Sequence, residues 1–136
     1  MKLILLSGVA GVGKSTYIKE NLADATVLSS DEIGAELGVT GGNNAKVFQT
    51  MYDRARDLMS QKVDTIVLDA TMLTRRRRLG ALSQINPNNY GYEVEVVQLH
   101  KPLADILKQN KMRDAVVPEQ TVKQMYLSMQ PAKVGV

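Results

Sequence analysis

The chain has 136 residues, 44% of them hydrophobic, and 17 Lys and Arg against 14 Asp and Glu give a net charge of +3. This length suits one domain with one core, and the charge is only a mild bias toward anionic partners. The absence of cysteine excludes disulfides, thiolate metal sites and cysteine nucleophiles, and it favours a cytoplasmic location. With 4% aromatic residues and no Trp, a base-stacking platform of the OB-fold or RRM type is not expected.

The first segment, MKLILLSG, combines a lysine with a short apolar run. Only Leu3–Leu6 are apolar before polar and glycine residues follow. The run is therefore too short for the hydrophobic part of a signal peptide and far too short to span a membrane. We expect a buried strand here and no membrane partner.

Four apolar runs are typical of strands, and segments with helical periodicity lie between them. The predicted strands are Leu3–Leu6, Thr26–Leu28, Thr65–Leu68 and Val94–Leu99. The predicted helical stripes are Val47, Met51, Ala55 and Leu58; Leu79, Leu82 and Ile85; Leu103, Ile106 and Leu107; and Val122, Met125, Tyr126 and Met129. Glycine and asparagine predict loops at 38–44 and 86–92. The alternation predicts a single α/β domain over 1–136, with a parallel sheet of four to five strands flanked by helices.

A phosphate-binding motif follows the first predicted strand. Residues 8–15 read GVAGVGKS, which matches the P-loop pattern G-x-x-x-x-G-K-[ST] and is followed by a helical segment. In such a loop the backbone N–H groups surround phosphate oxygens, the lysine reaches the β- and γ-phosphates, and the hydroxyl can ligate Mg²⁺. The predicted ATP-binding residues are Gly8, Gly11, Val12, Gly13, Lys14, Ser15 and Thr16.

Asp69 ends the apolar run of the third predicted strand, within TIVLDAT (65–71). It could be an ordinary turn residue at a strand end. However, parallel sheets place their ligands at the carboxyl ends of strands, and a P-loop usually has an acid on a neighbouring strand. The sequence therefore favours Ser15 and Asp69 as the residues that hold Mg²⁺, with ATP and Mg²⁺ as cofactors.

Asp31 lies in LSSDEIG (28–34), a segment with two interpretations. Ser29 and Glu32 have the spacing of a capping box, which would place Asp31 in the first turn of a helix near the positive end of its dipole. Alternatively, Asp31 is the base that takes a proton from an acceptor hydroxyl. The nearby P-loop favours the base.

The basic segment TRRRR (74–78) precedes the second helical stripe. A run of charges is normally a solvated face, but arginines at a helix N-terminus oppose the helix dipole by about 0.3–1 kcal/mol per nearby charge. Phosphates of nucleic acid or ATP would relieve this repulsion, so both interpretations stay open. His100 is the only histidine, and a structural role is expected for it.

The order of these motifs resembles the P-loop kinase domain of bacteriophage polynucleotide 5′-kinases and their small relatives, over nearly the whole chain. The resemblance rests on GVAGVGKST (8–16), SSDEI (29–33), DATMLTRRRR (69–78) and NKMRDAVVPEQTVKQMYLSM (110–129). It implies that Asp31 is the general base for the acceptor hydroxyl and that Arg113 lies on a lid over the transferring phosphoryl group. It also implies that residues 69–71 lie near metal and acceptor, and that 117–129 contain the closing helix.

Three positions depart from the pattern of that family. Gly34 stands where an arginine often touches the phosphate of the acceptor nucleotide. Gln109 stands where a second lid arginine is usual, which leaves Lys111 as the nearest extra cation. Met72 follows Thr71 where the family commonly has Thr-Asn. The first and third departures concern the acceptor rather than the chemistry.

The expected function is that of an ATP-dependent kinase acting on a hydroxyl, with the 5′-OH of a nucleic acid as the favoured acceptor. The expected catalytic residues are Lys14, Asp31 and Arg113, and the expected acceptor contacts are Asp31, Thr71, Arg75 and Arg76. Two alternatives remain: a kinase for a nucleoside, sugar or antibiotic, and an NTP-binding switch without phosphate transfer. The sequence leaves the oligomeric state open.

Overall fold

A computed structural model describes residues 1–39, 44–113 and 116–131 of the chain. The strands are β1 (Lys2–Ser7), β2 (Thr26–Ser29), β3 (Thr65–Asp69) and β4 (Glu93–Gln98). The α-helices are α1 (Lys14–Asn21), α2 (Ser30–Leu37), α3 (Ala45–Ser60), α4 (Arg75–Ile85), α5 (Leu103–Lys111) and α6 (Glu119–Ser128). The predicted α/β fold is confirmed.

The strands form one parallel sheet in the order β2-β3-β1-β4. The central residues of β1 and β3, Leu3–Leu6 and Ile66–Leu68, are continuous apolar runs, as expected for strands covered by helices on both faces. Leu3, Leu5, Ile66 and Leu68 face a core built mainly by α2, α3 and α4. The opposite face is covered by α1, while α5 and α6 pack around the loop that follows β1. All four strands end at the same edge, where the predicted site residues lie.

The predicted stripe of Leu79, Leu82 and Ile85 on helix α4 is only partly confirmed, because the buried face is centred one residue away. Arg78, Ala81 and Ile85 are fully buried, whereas Leu79 and Leu82 are only partly so. The guanidinium of Arg78 donates hydrogen bonds of 3.1 Å to the carbonyl oxygens of Met72, Leu73 and Gln130, which satisfy this buried charge. For Arg78, both interpretations of the basic run, a solvated face and a phosphate contact, are therefore wrong.

The two predicted loops differ in outcome. Segment 86–92 contains a short 3₁₀-helix at Pro87–Tyr90, flanked by residues with positive φ at Asn86 and Gly91. In segment 38–44, Gly38 ends α2 and Asn44 caps α3, while 40–43 lie outside the described residues. Nowhere in the described part of the chain does a helix combine the length and apolar character needed to cross a membrane.

Candidate active site

The P-loop between β1 and α1 is shaped by close contact with α5. Gly11 has φ +89°, and a Cβ at this position would lie 2.6 Å from the carbonyl oxygen of Ile106. Only glycine fits such an approach in this backbone region. Gly13, with φ +101°, precedes the first turn of α1, which has no side-chain cap. The N–H groups of that turn are therefore available to an anion.

A cavity of about 240 Å³ lies over the P-loop. It is lined by Gly11, Gly13, Lys14, Ser15, Thr16, Asp31, Asp69, Gln109, Met112 and Arg113. The structure thus brings together candidate residues from four separate segments, at the ends of β1, β2, β3 and α5.

Other candidate residues do not line this cavity. Gly8 and Val12 lie within the P-loop, where the Val12 side chain is buried among apolar neighbours. The carbonyl oxygen of Thr71 accepts a hydrogen bond from the Ser7 hydroxyl at 3.0 Å. The backbone N–H of Arg75 donates to Gln130 Oε1 at 2.9 Å. Arg76 lines a different cavity, between α3 and α4.

Lys14 and Asp69 form the charged floor of the P-loop cavity. The Lys14 ammonium donates a hydrogen bond of 2.9 Å to the carbonyl oxygen of Gly8. Burial lowers the pKa of Lys14, and the negative charge of Asp69 opposes that shift. Burial likewise raises the pKa of Asp69, with Lys14 acting in the opposite direction. Both charges are partly removed from water, where their interaction with a third charged group would be strengthened.

The oxygen donors of the cavity fit Mg²⁺ that arrives with a nucleotide. The Ser15 hydroxyl and the Asp69 carboxylate line the same space. Among the described residues there is no cluster of three or more His, Cys, Asp or Glu that could hold a metal ion alone. Mg²⁺ usually takes one or two protein oxygens and completes its shell with substrate phosphates and water. This donor set matches that pattern.

Asp31 stands at the mouth of the cavity and does not cap its helix. The cap of α2 is Ser29, whose hydroxyl accepts a hydrogen bond from the backbone N–H of Glu32 at 3.4 Å. Asp31 lies in the first turn, and its side chain is 70% exposed. Its Oδ2 is 3.4 Å from Nη2 of Arg113, which follows α5. Such an exposed ion pair contributes little to stability, so stability alone does not explain the arrangement.

Two further residues near the P-loop were not predicted from the sequence. Lys101, just after β4, donates a hydrogen bond of 3.0 Å to Gln109 Oε1, and its Nζ would lie 3.3 Å from a Cβ at Gly13. Asn110 is buried, and its side chain makes two hydrogen bonds to the backbone of Val117. Lys101 follows a strand end, which is a usable signal. Asn110 has no comparable signal in the sequence.

Asn110 and His100 connect the site to the helices around it. Asn110 ties the segment beyond Arg113 to the end of α5, and its backbone N–H lies against Gly11 of the P-loop. The ring of His100 stacks on that of Tyr126 in α6, with centroids 5.6 Å apart. Packing on α6 is consistent with the structural role expected for His100.

A family described as "AAA domain" matches residues 3–132. The chain belongs to this family. No curated protein sequence matches the chain. Together with the similarity to solved structures, the family match shows a P-loop kinase-like fold.

The chain is similar in fold to several solved structures. A gluconokinase from Sinorhizobium meliloti 1021 superposes with a TM-score of 0.65 at 15% identity, covering 96% of this chain and 75% of that chain. A chain of the Pnkp1/Rnl/Hen1 RNA repair complex gives a TM-score of 0.78 at 14% identity, covering 93% of this chain but only 43% of that one. The tunicamycin resistance protein of Deinococcus radiodurans gives 0.64 at 21% identity, covering 93% and 79%.

Proposed function

We propose that this chain is an ATP-dependent kinase that transfers the γ-phosphate to a hydroxyl, with the 5′-OH of a nucleic acid as the acceptor. One observation carries the proposal. A single cavity joins a P-loop, an uncapped helix N-terminus and the Lys14–Asp69 pair to a carboxylate at its mouth. A site that only held a nucleotide would not need an exposed carboxylate, paired with an arginine, at the open end.

The nucleotide phosphates would occupy the first turn of α1. The backbone N–H groups of Gly13, Lys14, Ser15 and Thr16 would bind phosphate oxygens, and Lys14 would exchange its bond to the Gly8 carbonyl for the β- and γ-phosphates. Ser15 and Asp69 would hold Mg²⁺, which neutralises charge on the phosphates when it is bound. Gly8 and Val12 would shape the loop around this site.

Asp31 would act on the acceptor. Its carboxylate is exposed and lines the same cavity as the P-loop, so an acceptor hydroxyl entering the cavity could reach it. As general base, Asp31 would orient the hydroxyl and take its proton. Arg113 holds Oδ2 of Asp31 and would also meet the charge that develops on the transferring phosphoryl group.

Lys101 would supply the second cation that Gln109 does not. Its ammonium lies beside Gly13 and is held by the Gln109 side chain, so it faces the P-loop from the β4 side. We infer that Lys101 replaces the second lid arginine of the resembled family. Lys111 is exposed at the end of α5, and neither lysine is among the residues that line the cavity, so the choice of Lys101 rests on its position beside Gly13.

A small-molecule acceptor is the second candidate, and Gly34 favours it. Gly34 is buried, and a Cβ there would lie 3.3 Å from the carbonyl oxygen of Val39, so α2 has little room for a phosphate-binding arginine. Two structural neighbours are a gluconokinase and a tunicamycin resistance protein. Against this, the chain of the RNA repair complex has a higher TM-score than either of these two neighbours.

One assay separates these functions. ATP labelled at the γ-phosphate is offered with a single-stranded 5′-OH oligonucleotide and, separately, with a panel of nucleosides, sugars and other small alcohols. Label on the oligonucleotide supports the proposal, and label only on a small alcohol selects the second candidate. If wild-type protein binds ATP but labels nothing, the chain is a nucleotide-binding switch. The Lys14→Ala variant controls for contaminating kinases.

A further inference from the structure

A second cavity, of about 460 Å³, lies between helices α3 and α4. It is lined by Phe48, Tyr52, Met72, Thr74, Arg76, Arg77, Gly80 and Gln84. Its volume falls within the range of about 300–1,000 Å³ that is typical of small-ligand sites. None of its lining residues belongs to the P-loop cavity.

One wall of this α3/α4 cavity is apolar and aromatic. Phe48 and Tyr52 lie one turn apart on α3 with ring centroids 6.1 Å apart, and the nearly buried Met72, in the segment after β3, also borders the cavity. Tyr52 is the more open of the two rings, since Phe48 is largely buried. A flat apolar group such as a nucleobase can pack on a wall of this kind.

The other wall is basic. The exposed residues Arg76 and Arg77 are on the first turn of α4, and no carboxylate is among the described residues that line the cavity. Burial raises the pKa of the Tyr52 hydroxyl, and the charge of Arg77 opposes that shift, which places this guanidinium near the aromatic wall. The salt bridges found in the described part of the chain do not involve Arg76 or Arg77. The occupant that complements this cavity carries negative charge next to a flat apolar group.

The α3/α4 cavity is joined to the P-loop cavity by a short stretch of chain. Asp69 lines the first cavity and Met72 the second, so their Cα atoms are at most about 11 Å apart, three residues of extended chain. This short distance is compatible with one acceptor strand that places its 5′ end in the P-loop cavity and a neighbouring nucleotide in the α3/α4 cavity. A contact of that nucleotide with Arg76 would also supply the phosphate-binding cation that the buried Gly34 of α2 cannot.

We propose that the α3/α4 cavity binds a nucleotide of a single-stranded acceptor, next to the reacting 5′ end. Arg76 and Arg77 bind its phosphate, and the partly exposed ring of Tyr52 packs against its base. The inference rests on the proposed function, because it extends the acceptor site of that kinase. Within the basic run, Arg76 and Arg77 are thus assigned to acceptor binding, whereas the buried Arg78 stabilises the fold.

The first test removes the charge. Binding of a 3′-labelled, single-stranded 5′-OH oligonucleotide is measured by fluorescence anisotropy over a range of salt, for wild type and for Arg76→Gln/Arg77→Gln. We expect the variant to bind about tenfold more weakly near 0.1 M salt, and the salt slope to fall by about 0.7 for each phosphate that the variant no longer neutralises. The matched control is Lys2→Gln/Lys62→Gln, which removes the same charge where β1 and β3 begin, at the opposite edge of the sheet.

The second test fills the cavity and leaves its charge in place. Gly80 lines the cavity within α4, and a Cβ there meets nothing within 4 Å. Gly80→Leu should therefore obstruct the cavity while favouring the helix, because leucine has a higher helix propensity than glycine. Weaker oligonucleotide binding without a lower melting temperature supports the proposal. Ser83→Leu is the control, since it adds the same side chain to an exposed position of α4 outside the cavity.

The outcomes separate this proposal from the proposed function. If wild-type protein phosphorylates the oligonucleotide and both cavity variants behave like their controls, the cavity proposal is overturned and the kinase stands. If the variants lose binding but wild-type protein transfers no phosphate, the cavity binds nucleic acid, but the kinase and the acceptor role of the cavity both fall. If wild-type protein does not bind the oligonucleotide, or if a sugar phosphate competes with it equally well, the cavity is not a nucleic-acid site.

Discussion

Helices α1 and α2 both begin at the carboxyl edge of the parallel sheet, α1 after the P-loop and α2 directly after β2. In α2 the hydroxyl of Ser29 accepts a first-turn N–H, and Asp31 and Glu32 add two carboxylates near the positive end of the dipole. In α1 the preceding residue is Gly13, no side chain caps the helix, and the first turn contains no acid.

This difference explains why the N-terminus of α1 is suited to an anionic ligand, whereas the N-terminus of α2 carries carboxylates of its own. The positive end of the α2 dipole is balanced by the carboxylates of its own first turn. One of them, Asp31, also lines the cavity. The positive end of α1 is strengthened by Lys14 and left open to an anion from outside. The positive N-terminal end of α1 therefore needs an anionic ligand to balance it, whereas that of α2 is balanced by side chains of the protein.

The largest effect is expected from removing the cation of α1. Lys14→Ala should abolish measurable phosphate transfer, because the lysine is the side chain placed to follow the β- and γ-phosphates. The ligand-free fold should persist, since burial disfavours the charged form of Lys14 and its removal also removes that penalty. Lys19→Ala, an exposed lysine in the last turn of the same helix, is the control and should keep wild-type transfer. Normal turnover of the Lys14 variant would contradict the assignment of the P-loop.

The second-largest effect is expected from removing the charge of Asp31 in α2. Asp31→Asn keeps the shape of the side chain and removes only its charge, so the expected stability change is below about 1 kcal/mol. General-base catalysis typically contributes about 10²–10⁴-fold, and transfer should fall by that factor while ATP affinity is nearly unchanged. Glu32→Gln removes a charge from the same helical turn outside the cavity and is the matched control. Equal transfer rates in the two variants would show that Asp31 only supports the helix.

Features carried by contiguous residues could be predicted from the sequence. The sheet followed from four apolar runs, and the phosphate loop from eight consecutive residues. Features that depend on distant partners were missed. Arg78 is buried because carbonyl groups at Met72, Leu73 and Gln130 surround it, and the last of these is 52 residues away. The contact of Asp31 with Arg113 spans 82 residues. The family resemblance implied a role for each residue in the site but did not predict their pairing.

A third prediction concerns the acid beside α1. The folded-state pKa of Asp69 is raised by burial, so the folded protein binds a proton more readily than the unfolded chain. Its ionised form therefore lowers stability above the folded pKa, and this destabilisation disappears as pH falls below the unfolded value. Ligand-free Asp69→Asn should melt higher than wild type at neutral pH, with the difference shrinking in acid. Asp64→Asn, which removes the same charge just before β3 and outside the cavity, is the matched control.

In addition, the order of the two melting temperatures should reverse when ligand is present, so that wild type melts higher than Asp69→Asn. A ligand that binds only the folded state stabilises it in proportion to the logarithm of its concentration over Kd. If Asp69 holds Mg²⁺, the magnesium complex of ATP should raise the melting temperature of wild type more than that of the variant. An equal increase in both proteins would remove Asp69 from the metal site while leaving its effect on ligand-free stability in place.

The smallest effect is expected at the cap of α2. Ser29→Ala removes the hydroxyl that accepts the Glu32 N–H, a change that costs about 0.5–2 kcal/mol at helix N-termini. The bond is long, at 3.4 Å, so the lower end of this range is expected. Ser29→Asp keeps an acceptor at the cap and should retain most of the stability. Because Ser29 does not line the cavity, ATP affinity should be unchanged and transfer should fall only slightly, through looser placement of Asp31. If transfer fell as much as in Asp31→Asn, the Ser29 cap would be required to hold Asp31 in its working position. The N-terminus of α2 would then depend on the cap for catalysis and not only for stability.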